Sequence, residues 1–207
     1  MLTSKSVQEF LDETASSSPA PGGGSVSALA AALGAALTSM VCRLTIGKKK
    51  YAGVQSEMED VLKKSENLRA RCTSIIDEDT QAFNKLMQAY ALPKETPEQQ
   101  STRKAAVQDA TKNATIVPLK LMQLCEEAGG LAKTVAENGN RNSASDAGVS
   151  ALMLRAACMG AALNVRINLA GLDDAVFVQE ARTKCDKVSE RVSAMCQVAL
   201  DAVNKNL

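Results

Sequence analysis

Residues Val26–Val41 are VSALAAALGAALTSMV, a stretch without a charged side chain. Alanine and leucine are strong helix formers, whereas strands favour β-branched and aromatic residues in alternation. The stretch is also too short and too rich in small and hydroxyl side chains for a membrane span of about 20 strongly apolar residues. A helix that is apolar on nearly every side belongs at the centre of a bundle or at an oligomer interface.

A second apolar stretch, Ala147–Ala170, carries only Arg155 and Arg166 as charged residues. Elsewhere apolar residues recur at helical spacing, and no segment alternates as a strand would. The sequence therefore predicts an all-α protein, an antiparallel bundle of long helices that forms a single domain over residues 1–207. Small residues in the first stretch permit close helix pairing, and we expect a dimer.

Caps and helix breakers predict where the helices begin and end. Ser25 is the expected N-cap of the second helix, and Ser145 or Asp146 that of the helix that follows the polar loop at residues 138–145. Pro118 predicts a kink or a break, and Gly129-Gly130 a further turn.

Composition argues against several classes of function. A formal net charge of +1 and 2% aromatic residues do not favour nucleic-acid binding. The six cysteines form no CxxC pair and the chain has no histidine, so we expect reduced thiols and no metal site. The first twenty residues lack the basic start and apolar run of a signal peptide. We expect a cytoplasmic protein that has no membrane partner.

A proline- and glycine-rich loop precedes the first apolar stretch, with the sequence Pro19-Ala20-Pro21-Gly22-Gly23-Gly24-Ser25. Glycine lets the backbone turn tightly and approach a ligand closely. The helix that starts there points free N–H groups and the positive end of its dipole at the loop. The loop therefore suits an anion or an electron-rich heterocycle, and a simple capping role without a ligand is equally open.

Asp79 falls at the centre of the apolar stripe of the third helix, where a core residue is expected, whereas Asp77 projects to the opposite face. Burying an unpaired carboxylate is costly or raises its pKa. Such a residue is either paired structurally, with Arg155 or Arg166 as the natural partners, or functional. The sequence leaves both interpretations open.

Two further polar groups stand out. Asn164 and Asn168 add an i, i+4 pair to the second apolar helix, which indicates either a polar cavity or an interhelical network. The run Lys48-Lys49-Lys50-Tyr51 is typical of a solvated helix end, but it could also steer a polyanion.

Six blocks in a fixed order resemble the cyclodeaminase/cyclohydrolase family that acts on one-carbon tetrahydrofolates. They are residues 19–25, 47–51, 79–83, 117–118, 139–146 and 164–169. The resemblance implies a dimeric all-α bundle that binds a reduced folate and needs no cofactor beyond it. The 207 residues leave no room for a transferase domain, which favours a methenyltetrahydrofolate cyclohydrolase. A formiminotetrahydrofolate cyclodeaminase is the alternative, and a non-catalytic folate-binding helical protein is the second alternative.

The resemblance also suggests roles. Asp79 is the expected proton-transfer group and Asp146 the group that grips the pterin edge, or the reverse. Neutral contacts to the pterin or to water are expected from four asparagines: Asn140, Asn142, Asn164 and Asn168. A polyglutamate tail would meet the lysines and the glycine loop. The remaining expected substrate-binding residues are Pro21, Gly22, Gly23, Gly24, Ser25, Lys48, Lys49, Lys50, Tyr51 and Arg166.

Overall fold

A computed structural model describes residues 1–205, and within that range every regular element is a helix. The predicted all-α architecture is confirmed. After a short helix α1, five long helices run alternately up and down, joined by 3₁₀ turns or short loops. The helices are α1 (Val7–Thr14), α2 (Gly23–Thr45), α3 (Gln55–Tyr90), α4 (Pro97–Asn138), α5 (Ala144–Leu169) and α6 (Ala175–Asn204).

Two of the helix starts follow the capping boxes of the sequence. Ser6 accepts from the backbone of Glu9 at the start of α1, and Thr96 accepts from the backbone of Gln99 at the start of α4. The prediction for α2 was wrong, because Gly22 is the N-cap and Ser25 turns its side chain inward. The prediction for α5 was also wrong: its N-cap is Ser143, which makes no side-chain cap bond.

Helix α4 is continuous through Pro118 and through Gly129-Gly130, contrary to the expected break and turn. Proline has no N–H to give to the carbonyl four residues earlier, so the Ala114 carbonyl loses its helical partner. The Asn168 side chain supplies a replacement, with Nδ2 donating to that carbonyl at 2.9 Å. A neighbouring helix thus satisfies the group that the proline leaves unpaired.

Helix α4 lies along the inner side of the bundle and packs on α2, α3, α5 and α6. Helices α2 and α5 are antiparallel and very close: a Cβ at Gly34 would lie 2.8 Å from the Leu154 side chain. Further along, the hydroxyls of Thr38 and Ser150 are hydrogen-bonded at 2.9 Å in the buried interface. The small residues of α2 therefore serve close pairing with α5.

The six cysteines are all buried, free and helical, as expected. They are Cys42, Cys72, Cys125, Cys158, Cys185 and Cys196. Two segments, Gly23–Thr45 and Arg141–Leu169, are long and apolar enough to cross a membrane by length and composition alone. Only 61% and 50% of their most apolar windows are buried inside the bundle, so each also presents an apolar side outward.

Candidate active site

The glycine loop brings the start of α2 against the middle of α3. Ser25 is fully buried, and its hydroxyl donates to the Ile76 carbonyl and to Asp79 Oδ2, each at 3.0 Å. The Thr80 hydroxyl lies 3.2 Å from the same oxygen of Ser25. The Ser25 hydroxyl therefore hydrogen-bonds to Asp79 on α3 and does not cap α2.

Asp79 is half-buried. Burial raises the pKa of its carboxyl, and hydrogen bonds from the Ser25 side chain and backbone oppose the rise. A Cβ at Gly24 would collide with the carboxylate, so only glycine lets α2 approach so closely. The Asp79 carboxylate thus lies at the positive end of the α2 dipole, in the space that a side chain at position 24 would occupy.

A cleft of about 210 Å³ opens beside Asp79. Phe83, Leu86 and Ala82 form an apolar wall one to two turns further along α3. Asn164 and Asn168 of α5 form a polar wall, and Gly23 belongs to the rim. The other lining residues are Pro19, Ala20, Gly22, Gly24 and Ala114, and none of the lining residues carries a positive charge.

The two asparagines are held by backbone carbonyls. Asn164 Nδ2 donates to the Gly160 carbonyl, and Asn168 Nδ2 donates to the Ala114 carbonyl, each at 2.9 Å. Because an amide group has a donor end and an acceptor end, these bonds fix which way each side chain points. The amide oxygens remain as the acceptors that a ligand in the cleft can use.

Neither arginine of α5 pairs with Asp79. Arg155 is exposed, and Arg166 is exposed with an ion pair to Asp186 of α6 at 2.9 Å. The structural alternative for Asp79, an ion pair with either arginine, is therefore contradicted. Arg166 also lies outside the cleft in which it was expected to bind substrate.

The other predicted residues lie at the opposite end of α2. Lys48, Lys49 and Lys50 are exposed just beyond its C-terminus. Tyr51 reaches the loop before α5, where its hydroxyl accepts from the Arg141 backbone at 3.0 Å. The basic run thus ends beside the polar loop.

Asn140 is buried in that loop, with 5% of its surface exposed. Its Nδ2 donates to the Leu44 carbonyl and its backbone N–H to the Thr45 hydroxyl, both at 2.9 Å. Its Oδ1 accepts from the backbone of Asn142, whose own side chain is exposed. Asn140 therefore holds the loop to the end of α2. Because these bonds use its side-chain donor and acceptor, few polar groups of Asn140 remain for a ligand.

Asp146 lies half-buried in the first turn of α5 at the same end of the bundle. Eighteen residues of helix separate it from Asn164, which at 1.5 Å per residue is about 27 Å. The length of α2 puts Lys48 about 30 Å from Gly24 by the same measure. Within one copy of the chain, the predicted residues thus form two groups at opposite ends of the α2–α5 pair.

Comparison with known proteins places the chain among one-carbon folate enzymes. A family model described as formiminotransferase-cyclodeaminase matches residues 6–187. The methenyltetrahydrofolate cyclohydrolase of Methylorubrum extorquens is 44% identical over 207 residues, the full length of both chains. The chain belongs to the formiminotransferase-cyclodeaminase family. The resemblance found in the sequence is thereby confirmed.

Other members of the formiminotransferase-cyclodeaminase family match over part of their length or by structure. The formimidoyltransferase-cyclodeaminase of Rattus norvegicus is 35% identical over 202 residues, and the match covers 98% of this chain but 37% of the rat protein. The crystal structure of formiminotetrahydrofolate cyclodeaminase from Thermotoga maritima has a TM-score of 0.90 and 28% identity. That match covers 99% of this chain and 98% of the other.

The structure gives three residues of this family member a role that the sequence analysis did not predict. Asp77, expected on the outer face of α3, is buried and accepts from the Leu2 backbone at 2.6 Å and from the Thr3 hydroxyl at 2.8 Å. It anchors the N-terminal segment. Phe83, an apolar residue of α3 that the sequence analysis gave no role, lines the cleft one turn beyond Asp79. Ala114 lines the cleft as well. Because Pro118 follows it by four residues, the sequence could have indicated that the Ala114 carbonyl lacks a helical hydrogen bond.

Pro21 is buried beside the loop and does not line the cleft. The peptide bond that precedes it, Ala20–Pro21, is cis. The glycines that follow it, and not the proline itself, face the cleft.

Proposed function

We propose that this protein is a methenyltetrahydrofolate cyclohydrolase, which hydrolyses 5,10-methenyltetrahydrofolate to 10-formyltetrahydrofolate. The full-length relative from Methylorubrum extorquens supports the choice of reaction. The single structural observation that carries it is the half-buried Asp79 carboxylate at the mouth of a cleft with one apolar and one amide wall. A flat heterocycle with polar edges fits such walls.

The proposed reaction uses Asp79 as an acid–base group. The bridging carbon of the substrate is bonded to two nitrogens and carries a shared positive charge, which an ionised carboxylate stabilises. Water attacks that carbon, a C–O bond forms, and Asp79 takes the proton that the water loses. The bond from the carbon to the 5-nitrogen then breaks, and the proton passes from Asp79 to that nitrogen. The carbon–oxygen bond becomes the formyl C=O as the hydroxyl proton is released to solvent, so one proton leaves for each substrate cation. The formyl group stays on the 10-nitrogen.

The cleft residues have matching tasks in this proposal. Phe83 and Leu86 cover one face of the ring system, and the amide oxygens of Asn164 and Asn168 accept hydrogen bonds from its edge or from the water. Burial raises the pKa of Asp79, and the Ser25 hydrogen bonds oppose that rise and so favour the ionised carboxylate. An ionised carboxylate is the form that can accept a proton.

A spectrophotometric assay tests the proposal. Loss of methenyl absorbance is followed with purified protein and corrected for the spontaneous hydrolysis of the substrate. We expect a rate proportional to protein concentration, which Asp79→Asn lowers by about 10²–10⁴-fold. A rate equal to the spontaneous one would reject the cyclohydrolase.

The cyclodeaminase is the second candidate, favoured by the structural match to the Thermotoga maritima enzyme. That reaction starts from the formimino compound and releases ammonia through a similar tetrahedral carbon, so the same cleft could serve it. Supplying 5-formiminotetrahydrofolate and watching methenyl absorbance appear distinguishes the two. A protein that binds a folate analogue and converts neither substrate would be the non-catalytic folate binder.

The remaining expectations from the sequence are kept as proposals. The protein acts in the cytoplasm as a homodimer. It uses no metal and no further cofactor, and it binds neither nucleic acids nor membranes. Its substrate carries a polyglutamate tail, which Lys48, Lys49 and Lys50 attract. We expect the KM for a polyglutamylated substrate to rise with ionic strength, because salt screens exposed charges.

A further inference from the structure

The cleft beside Asp79 is closed at one end and open at the other. Helix α2 begins at Gly23, and its first turn lies against the carboxylate, so α2 closes the cleft at the Asp79 end. On α3 the lining residues continue from Asp79 to Leu86, about 10 Å further along the helix. Helices α3 and α4 then extend past the cleft, and we call residues 87–107 the hairpin tip. A long ligand that starts at Asp79 and follows the cleft therefore passes along the hairpin tip.

Two residues of the hairpin tip lie on the cleft side of their helices. Tyr90 follows Asp79 by eleven residues, and Arg103 precedes Ala114 by eleven residues. Eleven residues of α-helix return to within about 20° of the same direction and advance about 17 Å. Because Asp79 and Ala114 both line the cleft, Tyr90 and Arg103 face the path that leads out of it.

Arg103 is half-buried and is held in place by Tyr90. Its Nε donates to the Tyr90 carbonyl at 3.1 Å, and its guanidinium carbon lies 5.7 Å from the centroid of the Tyr90 ring. Neither contact uses the two terminal amino groups. Within residues 1–205 no carboxylate pairs with Arg103, whereas five other arginines form ion pairs. An arginine held in this way presents a fork of N–H groups that can bind a carboxylate through two hydrogen bonds.

The position of Arg103 matches the length of the proposed substrate. The cleft lining has an acid for the cationic carbon but no positive charge for the anionic tail. An extended chain advances about 1.2 Å per bond, so the ten or so bonds from that carbon to the first glutamate carboxylate span about 12 Å. Each further γ-linked glutamate adds about 6 Å. The first or second glutamate therefore reaches the level of Arg103, whereas Lys48 lies about 30 Å from Gly24 in the opposite direction.

We propose that the hairpin tip is a subsite for the glutamate tail, in which Arg103 binds a tail carboxylate and Tyr90 positions Arg103. The reacting carbon then lies at Asp79, and the benzoyl ring passes Phe83 on the way to the tip. The run Lys48–Lys50 attracts the polyanion at long range and does not contact it. The subsite rests on the proposed function, and it holds equally for the cyclodeaminase because both substrates carry the same tail.

Two substrates that differ only in the tail test the role of Arg103. They are the triglutamate of 5,10-methenyltetrahydrofolate and 5,10-methenyltetrahydropteroate, which has no glutamate. We expect Arg103→Ala to raise KM for the triglutamate about 10-fold at unchanged kcat, and to leave KM for the pteroate unchanged. Arg103→Lys keeps the charge without the planar fork, so its KM should rise less. Arg182→Ala removes an exposed arginine from α6 and should change neither KM.

A pair of Tyr90 variants tests the positioning of Arg103. Tyr90→Phe keeps both the ring face and the backbone carbonyl, so KM for the triglutamate should not change. Tyr90→Leu removes the ring, and KM for the triglutamate should rise about 2–5-fold, the usual contribution of an exposed cation–π contact. Neither variant should change KM for the pteroate or the helix content by circular dichroism. A purely structural role of Tyr90 would change KM for both substrates alike.

Three outcomes would overturn the tail subsite. They are an unchanged KM in Arg103→Ala, an equal rise in KM for both substrates, and a preference for the tail that is lost only in the triple variant Lys48→Ala/Lys49→Ala/Lys50→Ala. If the wild type converts neither the methenyl nor the formimino substrate, the proposed function fails. Calorimetric binding of tetrahydrofolate and tetrahydropteroate then still tests the subsite, since Arg103→Ala should weaken binding of tetrahydrofolate alone.

Discussion

At the scale of single residues, the site depends on one missing side chain. Gly24 has no Cβ, and the Asp79 carboxylate occupies the space where a Cβ would be. Ser25 then reaches the carboxylate with both its hydroxyl and its backbone. A half-buried acid that has no cation beside it is less stabilised as a charge than an acid in an ion pair, and this distinguishes proton-transfer residues from structural ion pairs.

Asp79→Asn is expected to lower turnover by about 10²–10⁴-fold, the usual contribution of an acid–base group. Its stability should not fall. Because the folded-state pKa is raised, the charged form is disfavoured by folding, and stability is lost as pH rises from the unfolded pKa through the folded one. At pH 7 the asparagine variant avoids that cost, so its Tm should equal or exceed that of the wild type. Calorimetry beside the methenyl assay checks both, and a lower Tm with normal turnover would make Asp79 structural.

Ser25→Ala removes a hydrogen bond that lowers the pKa of Asp79. The pKa should therefore rise further, and the acid limb of the kcat/KM profile should move to higher pH. Ser27→Ala is the matched control, since the Ser27 hydroxyl donates to the Gly23 carbonyl and not to the acid. A limb that stays in place in both variants would show that another group titrates.

At the scale of elements, the sequence predicted most helices and missed the continuity of α4. The capping boxes at Ser6 and Thr96 are local, so residues three apart suffice to see them. Pro118 breaks no helix because Asn168, fifty residues further on, takes over the vacant Ala114 carbonyl. A contact between distant segments cannot be read from the residues around the proline.

Pro118→Ala restores an N–H that competes with Asn168 for the Ala114 carbonyl. Asn168 would lose its anchor beside the cleft, so we expect KM for the methenyl substrate to rise several-fold while helix content stays the same. Pro97→Ala is the control, because a proline in the first turn of α4 replaces no helical hydrogen bond. Steady-state kinetics and circular dichroism check this. An unchanged KM would mean that Asn168 does not contact the substrate.

At the scale of the whole molecule, the sequence predicted the candidate site residues as one set, and the fold divides them. Gly24 and Asp79 meet because α2 and α3 pack antiparallel, whereas Lys48, just beyond α2, and Asp146, at the start of α5, lie at the far end of the bundle. The order of motifs along a chain does not show how far apart the two ends of a helix lie in space. The uncharged stretch Val26–Val41 was visible in the sequence, but only the packing shows which of its side chains are exposed.

Leu33→Glu puts a charge in the middle of α2, at an exposed apolar position where the proposed homodimer could pack. Because Leu33 is 47% exposed in a single copy, the monomer should fold with a normal helical spectrum. Two glutamates brought into an apolar contact between copies would oppose dimer formation, so light scattering should report a monomer. Gln88→Glu adds the same charge at an exposed position of α3 and should leave the dimer intact. A Leu33→Glu protein that remains dimeric would place the contact between copies elsewhere on the bundle.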